Sequence, residues 1–317
     1  MQLDLKDRLL LFELDLNARQ PVSALARKLR LSRDVINYRI KRLEENNIIR
    51  GYRAIIDTSK LGYTFYRVLF KLFNCSGDDE QALIEFLKKE PNVWWIATLD
   101  GLFDLNFAVW VKDEHEMFLL QKRLYQKFKS IIKESLICPV IRYTQLSRNY
   151  FLDKNVARKE ITIGMPDVEI LDAIDLSILK MIAIDARISL VNISSKVRID
   201  PIAVKHRIKK LESKGIIKGY KLDINFVTLK RDFYSVKINL NSLDQLKMIR
   251  EYIKNIPEVN GIIESLGSYD IEFDLEVEDS KRYYEIIAIL KKRFSSIREI
   301  DYFRVLKNFK ILFMPEI

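Results

Sequence analysis

Apolar residues recur at helical spacing in three short segments at the start of the chain, and this pattern predicts three helices. The first is predicted around a group of leucines near residues 9–14, and the second over Val22–Leu29. The third is predicted to begin after Ser32, a favourable N-cap, and to run to about Glu45. The positions of this third helix expected to face a core are Val35, Ile36, Ile40 and Leu43.

The chain that follows changes to a mixture of alternating and helical patterns. The elements predicted there are strand-like residues at 60–75, a helix at 81–89, strands at 93–99 and 104–111, a helix at about 114–133 and a strand at about 136–146. Trp94 and Trp95 are adjacent in one strand, so we expect one to point to each face of the sheet. The order β-α-β-β-α-β predicts a ferredoxin-like unit.

Both patterns occur a second time. Residues 3–52 align without a gap onto residues 171–220, a shift of 168 positions, with 17 of the 50 positions identical. A strand at 270–277 alternates fully, with apolar residues on one face and acids on the other, which predicts a half-solvated antiparallel strand. A helix at about 280–296 and a strand at about 300–313 complete this second unit, where the shift has become 166.

The predicted fold class is therefore α+β, as two tandem copies of a helix-turn-helix unit, each followed by a ferredoxin-like domain. The predicted domains are a winged helix-turn-helix at 1–56, a ferredoxin-like domain at 57–150, a linker at 151–167, a second winged helix-turn-helix at 168–224 and a second ferredoxin-like domain at 225–317. Whether the two halves pair within one chain or between chains is open at this point.

Positive charge is concentrated in the two helical units. Residues 1–53 carry 12 Lys+Arg against 7 Asp+Glu, and residues 168–223 carry 11 against 7, balances of +5 and +4 in a chain of net charge +10. Such clustering indicates a polyanionic partner, double-stranded DNA, although a solvated basic surface without a partner is the other reading.

The third helix of each unit is the predicted recognition helix, because its outer face is basic and polar. Arginine and asparagine can hydrogen-bond base edges, and lysine neutralises phosphates. After each third helix, a glycine at Gly51 or Gly219 predicts a tight hairpin whose basic neighbours line a wing. The predicted DNA-binding residues are Ser32, Arg33, Asn37, Tyr38, Lys41, Arg42 and Arg53 in the first copy, and Lys205, His206, Lys209, Lys210 and Lys221 in the second.

The composition narrows the remaining classes of function. The only cysteines, Cys75 and Cys138, are expected to be buried free thiols. With His115 and His206 they do not form a standard zinc pattern, and no cofactor is expected. No apolar run approaches the roughly 20 residues of a membrane span, and no secretion signal is recognised, so a cytoplasmic location without a membrane is expected.

Ser32 to Tyr52 and Asp200 to Tyr220 resemble the Lrp/AsnC (leucine-responsive, feast/famine) family, whose signature is Arg-Ile-x-x-Leu-Glu followed by Ile-x-Gly-Tyr. The resemblance implies a transcriptional regulator that self-associates through its ferredoxin-like domains and responds to a small effector such as an amino acid. Its Gly-x-Tyr-Asp turn implies effector-binding residues at Gly101, Asp104, Gly267 and Asp270. A purely structural turn is the alternative reading of these four residues.

Three other functions compete with regulation. Siroheme decarboxylases resemble this chain in architecture but carry a His-x-Tyr-Asn stretch where Gly101 to Asp104 lies, so we expect no enzyme. An RNA-recognition motif has the same element order, but the acids of 270–276 would repel RNA. A scaffold with degenerate DNA-binding units is the third alternative.

Overall fold

The computed structural model describes residues 2–152, 156–164, 167–267, 269–311 and 313–315. Ser268 of the second glycine turn, Leu312 of the last predicted strand and parts of the predicted linker lie outside the described residues. The elements of the first half are α1 (Leu5–Leu16), α2 (Val22–Leu29), α3 (Arg33–Glu45), β1 (Ile49–Ile56), β2 (Thr64–Leu72), α4 (Gly77–Lys89), β3 (Val93–Gly101), β4 (Leu105–Val111), α5 (Glu114–Phe128) and β5 (Ile132–Leu146).

The second half repeats this order after one additional strand. Its elements are β6 (Glu160–Ile163), α6 (Ala173–Ile184), α7 (Leu190–Val197), α8 (Pro201–Ser213), β7 (Ile217–Ile224), β8 (Asp232–Leu240), α9 (Leu246–Lys254), β9 (Val259–Ser265), β10 (Ile271–Val277), α10 (Ser280–Arg293) and β11 (Ile297–Ile311). The predicted fold class is confirmed. The strand β6, which pairs with β5, lies inside the segment predicted as a linker.

The repeated arginine of the family signature anchors each third helix to the first helix of its own unit. Arg39 donates from Nη1 to the carboxylates of Asp4 (2.8 Å) and Asp7 (2.6 Å) at the start of α1. Its equivalent, Arg207, donates to Asp172 (2.7 Å) and Asp175 (2.8 Å) at the start of α6. This part of the signature therefore has a structural function in the described chain.

The prediction of a hairpin wing is wrong. Gly51 lies within β1, which pairs antiparallel with β7 of the other copy, and its register partner is Asp223. Backbone bonds reinforce this exchange: Ala18 N–H donates to Tyr220 O (3.0 Å), and Ala186 N–H donates to Tyr52 O (2.8 Å). The two DNA-binding units consequently share one hydrophobic core.

The strands of the two ferredoxin-like units form a single sheet within the chain. Its order is β2-β4-β3-β11-β8-β10-β9-β5-β6, and a further pairing of β2 with β5 closes it on itself. The halves join where β3 meets β11 and where β9 meets β5. The face that an RNA-recognition motif would leave open is the interior of this closed sheet, which removes that alternative for the described residues.

The expectation of a solvated acidic face on β10 is wrong. Glu272, Asp274 and Glu276 are 2 %, 8 % and 2 % exposed. Their face points into the closed sheet, where the first half covers it. A strand pattern cannot reveal which face a second copy will bury, because alternation depends only on the strand's own pleat.

Three further expectations are corrected. Trp94 and Trp95 both line the interior, because a β-bulge between Val93 and Trp95 breaks the alternation. Val35, expected in the core, is 38 % exposed. Cys75 is only partly buried, whereas Cys138 is buried and both thiols are free.

Candidate DNA-binding surface and interior cavity

The N-terminal half of α3 presents three of the predicted DNA-binding side chains to solvent. Arg33, Asn37 and Tyr38 are exposed, and Tyr38 is 64 % accessible. The hydroxyl of Ser32 accepts a bond from Val35 N–H (3.2 Å), so this residue caps the helix. The arrangement matches what major-groove readout requires, which is polar side chains near the helix start.

The C-terminal half of α3 contributes less than the sequence suggested. Lys41 is exposed and only loosely paired with Glu45, at 3.7 Å. Arg42, in contrast, donates from Nη2 to the buried Asp7 carboxylate at 2.5 Å. Its guanidinium therefore helps to hold α3 against α1, and the DNA contact predicted for Arg42 stays a prediction.

The two predicted wing residues are also engaged within the chain. Lys221 is 8 % exposed and donates to the buried Asp15 carboxylate at 2.8 Å, so it is wrong as a phosphate contact. Arg53 pairs with Asp223 at 3.2 Å and also donates to the Ile184 carbonyl. Both sets of contacts have one cause, which is that β1 and β7 pair with each other instead of forming separate wings. The DNA contact predicted for Arg53 stays a prediction.

The second recognition helix, α8, has a different exposed surface. Asp200 caps it by accepting from Ile202 N–H at 2.7 Å, and Pro201 occupies its first turn. Ile202 is 66 % exposed at the position equivalent to Asp34. The predicted contacts Lys205, His206, Lys209 and Lys210 are all exposed.

Sequence reasoning missed one pair of basic residues beside the recognition helices. Arg30 and Arg198 end α2 and α7 in the left-handed conformation, with φ of 54° and 56°, and both side chains are exposed. They stand at the turn that leads into α3 and α8. The signal was present, because both positions are arginine in the aligned repeat.

The glycine turns make structural contacts within each half, through their aspartates, and at the joins between the halves, through their glycines. Asp104 accepts from Leu72 N–H at 2.7 Å, and Asp270 accepts from Leu240 N–H at 2.7 Å. Gly101, with φ of 137°, lies so close to Tyr302 O on β11 that a Cβ there would approach it to 2.8 Å. The effector role of Gly101, Asp104, Gly267 and Asp270 stays a prediction.

Gly267 has the corresponding position at the other join. A Cβ built on this residue would lie 3.2 Å from Cys138 Sγ of β5. Its φ of 156° also disfavours a side chain. Each glycine turn thus allows the close approach of a strand from the opposite half.

A cavity of about 290 Å³ lies inside the closed sheet, between the two halves. The first half supplies aromatic side chains: Trp94 stacks on Trp110 with centroids 5.3 Å apart, and Phe65 meets the Trp94 edge at 5.7 Å. The second half supplies the carboxylates of Asp274 and Glu276. This cavity was not predicted from the sequence.

The interior carboxylates differ in their partners. Glu272 pairs with Arg67 (3.0 Å) and with Lys237; burial opposes its ionisation, but these charges hold its pKa at about 2. Within the described part of the chain, Asp274 has no such ion pair. Burial raises the pKa of Asp274 to about 6, although the nearby Arg67 charge and a hydrogen bond from Ser235 oppose the shift.

A buried charge network connects the cavity wall to the first DNA-binding unit. Arg148 donates to Asp15 of α1 (2.7 Å) and to Glu276 of β10 (2.8 and 3.0 Å), and Lys221 of β7 joins at Asp15. Burial would raise the pKa of Asp15, but the charges of Lys221 and Arg148 lower it. The equivalent of Asp15 in the second copy is Ala183, so the network has no counterpart there.

The described residues were also compared with the requirements of a metal site and of a membrane span. They contain no group of three or more histidine, cysteine, aspartate or glutamate side chains arranged to hold a metal ion. None of the described helices combines the length and the apolar character of a membrane span.

Comparison with known proteins relates the sequence of this chain to transcriptional regulators. The winged helix-turn-helix DNA-binding family model matches residues 3–50 and 171–218. The proline dehydrogenase transcriptional activator of Rhodobacter capsulatus is 47% identical over 132 residues, covering 41% of this chain and 82% of that protein. The transcriptional regulator LrpA of Pyrococcus horikoshii is 28% identical over 144 residues, covering 44% of this chain and 95% of that protein.

The whole chain also has a structural relative. The crystal structure of the siroheme decarboxylase NirDL superimposes with a TM-score of 0.65 over 98% of this chain and 93% of that one, at 15% identity. At that identity the likeness concerns the fold, a tandem arrangement over the full length. The sequence relatives and the two matched DNA-binding regions together show that the chain belongs to the Lrp/AsnC family of transcriptional regulators, as a tandem form with two winged helix-turn-helix units.

Proposed function

We propose that the chain regulates transcription by binding double-stranded DNA sequence-specifically through α3 and α8, with unequal contributions from the two helices. The observation that carries the proposal is the contrast between anchor and surface. Arg39 and Arg207 hold both helices in the same way, while the exposed residues between Ser32 and Tyr38 differ from their equivalents. The same anchoring contacts combined with different exposed residues are expected where each helix binds its own half-site.

The α3 surface supports base readout. Arg33 and Asn37 have the two side-chain types that form paired hydrogen bonds with guanine and adenine. The α8 surface offers Lys205, Lys209 and Lys210 instead, which suit phosphates. We therefore assign most of the sequence discrimination to α3 and mainly electrostatic affinity to α8.

Fluorescence anisotropy with labelled duplexes over a range of salt concentrations tests this function. Affinity should fall steeply with salt, because each neutralised phosphate releases condensed counterions. Affinity that is independent of salt, or equal for all sequences, would contradict the proposal and support a scaffold role.

Modulation by a small molecule, for instance an amino acid, is the finer part of the proposal. The carboxylates of Asp104 and Asp270 already accept main-chain hydrogen bonds, which disfavours them as partners for a ligand ammonium group. The interior cavity is the better candidate for a ligand.

A decarboxylase is the second candidate, and the full-length likeness to NirDL favours it. Against it, His115 lies in the first turn of α5 and His206 lies on α8, and neither histidine is among the residues that line the cavity. An absorbance titration with an iron-free tetrapyrrole separates the two functions: a saturable spectral shift followed by loss of carboxyl groups would establish the enzyme.

A further inference from the structure

The cavity between the halves has an aromatic wall that includes Trp94 and Trp110 of the first copy, and an opposite wall that includes Asp274 and Glu276 of the second. With the shift of 166 residues, Ala108 and Trp110 on β4 correspond to Asp274 and Glu276 on β10. Side chains from both strands line the same space. A homodimer of identical units would have two equal walls, so this asymmetry belongs to the fused chain.

The aromatic wall presents ring surfaces suited to a flat or cationic group. Trp94 and Trp110 stack nearly parallel, at 18°, and Phe65 closes one edge. The indole Nε1 of Trp94 is shielded from solvent and has no hydrogen-bond partner among the described residues. The faces of indole rings attract cations, and more strongly when water is excluded.

The opposite wall holds one carboxylate without a direct ion pair among the described residues. Arg148 pairs with Glu276, and both Arg67 and Lys237 pair with Glu272, so Asp274 feels these two cations only at longer range. A buried carboxylate without a partner destabilises a fold unless something compensates it. An incoming positive group would do so.

One amide oxygen adds an acceptor to this side of the cavity. Asn260 Oδ1, on a residue only 9 % exposed, has no partner among the described residues. Asn260 precedes Gly261, the register partner of Asp274 on the neighbouring strand. An ammonium group has three donors and no acceptor, so it can donate to both side chains.

We propose that this cavity binds a small primary amine with a flat apolar body, its ammonium group bound by Asp274 and its body against Trp94 and Trp110. The volume of about 290 Å³ is at the lower end of ordinary ligand pockets, roughly 300–1,000 Å³, and suits a compact molecule. The inference does not depend on DNA binding and is tested separately from it.

Intrinsic fluorescence provides a direct readout, because all three tryptophans of the chain line the cavity. The full chain is titrated with three probes of similar shape: phenethylamine, the neutral 2-phenylethanol and the anionic 3-phenylpropionate. Phenethylamine should change the emission saturably and bind at least tenfold more tightly than the alcohol, while the acid should not bind. Equal affinities for the amine and the alcohol, or no saturable change with the amine, would overturn the proposal.

Asp274→Asn should reduce the affinity for phenethylamine to that for the alcohol, and the exposed Glu278→Gln serves as the matched control that leaves it unchanged. Retention of the amine preference in a folded Asp274→Asn protein would overturn the assignment of Asp274. If that variant does not fold, Trp110→Leu keeps the charges and should weaken the amine at least fivefold by calorimetry. Unchanged binding in Trp110→Leu would likewise contradict the proposal.

Discussion

The two copies of this chain are alike in the contacts that hold each unit together and differ on the surfaces proposed to bind DNA and a ligand. The arginine anchors Arg39 and Arg207 and the tyrosine bonds Tyr52–Glu44 and Tyr220–Glu212, both 2.6 Å, are reproduced almost atom for atom. The residues differ between the copies on the exposed face of the recognition helix (α3 or α8) and on the inner face of the equivalent strands β4 and β10. Because the two units are fused in one chain, each can carry different residues on these surfaces, which identical subunits of a homodimer could not.

The largest expected effect comes from the buried charge network around Arg148 and Asp15, which has no counterpart at the equivalent positions of the second copy. Arg148→Met should lower the free energy of unfolding by about 3–5 kcal/mol, because it leaves Asp15 and Glu276 buried without their partner. Denaturant unfolding of the full chain measures the change.

Arg142→Met is the control, because Arg142 lies on β5 shortly before Arg148 and its pair with Glu264 is 3.4 Å long and partly exposed. It should cost less than about 1 kcal/mol. If the two variants lower the free energy of unfolding equally, the ion pairs of Arg148 contribute no more than an exposed pair, and the copies do not differ in stability here.

The next effect is a pH dependence of the free energy of unfolding that arises from Asp274 on the acidic wall of the cavity. Asp274 has a folded pKa of about 6 against a usual 3.8, so the folded state binds more protons between these values and the ionised group destabilises the fold above pH 6. Asp274→Asn should raise the free energy of unfolding at pH 8 by about 1–3 kcal/mol, and the gain should vanish below pH 4.

The groups that face Asp274 are Arg67 on β2, Lys237 on β8, Glu272 on its own strand and Tyr143 on β5. Both cations oppose the shift and Glu272 enhances it, so Glu272 must stay ionised for the full effect. Measurement of unfolding from pH 4 to 8 decides the sign. A gain that persists at pH 4 would identify a packing effect in place of a titration.

A smaller effect compares the recognition helices directly. Asn37→Ala should relax base preference at one or two positions of one half-site, at about 1–3 kcal/mol of discrimination. Lys205→Ala at the equivalent position should instead weaken all sequences about equally. Competition assays with single-base variants measure both. Uniform weakening by Asn37→Ala would make Asn37 a backbone contact.

The smallest effect concerns Lys41 and its equivalent Lys209, which are exposed lysines in both copies. Replacement of either by alanine should reduce the slope of log affinity against log salt by about 1, with little change in sequence preference. Different slopes for the two variants would show that the helices approach the phosphates unequally.

Local structure was predictable from the sequence to the extent that it depends on neighbouring residues. The caps at Ser32, Asp200 and Pro201 and the order of helices and strands follow from propensity and periodicity. The exchange of β1 and β7, the burial of Glu272 to Glu276 and the engagement of Lys221 depend on contacts between positions roughly 100 to 200 residues apart. No pattern within one strand encodes which distant strand will cover it.

The most direct test of divergence between the copies is selection of bound sequences from random DNA with the full chain, read together with the mass of the complex. The account predicts one chain per site and a non-palindromic consensus with one strongly and one weakly specified half. Dimers whose operators mirror their symmetry yield inverted repeats. A strict inverted repeat bound by a single chain would show that α3 and α8 read the same sequence, and would contradict the account.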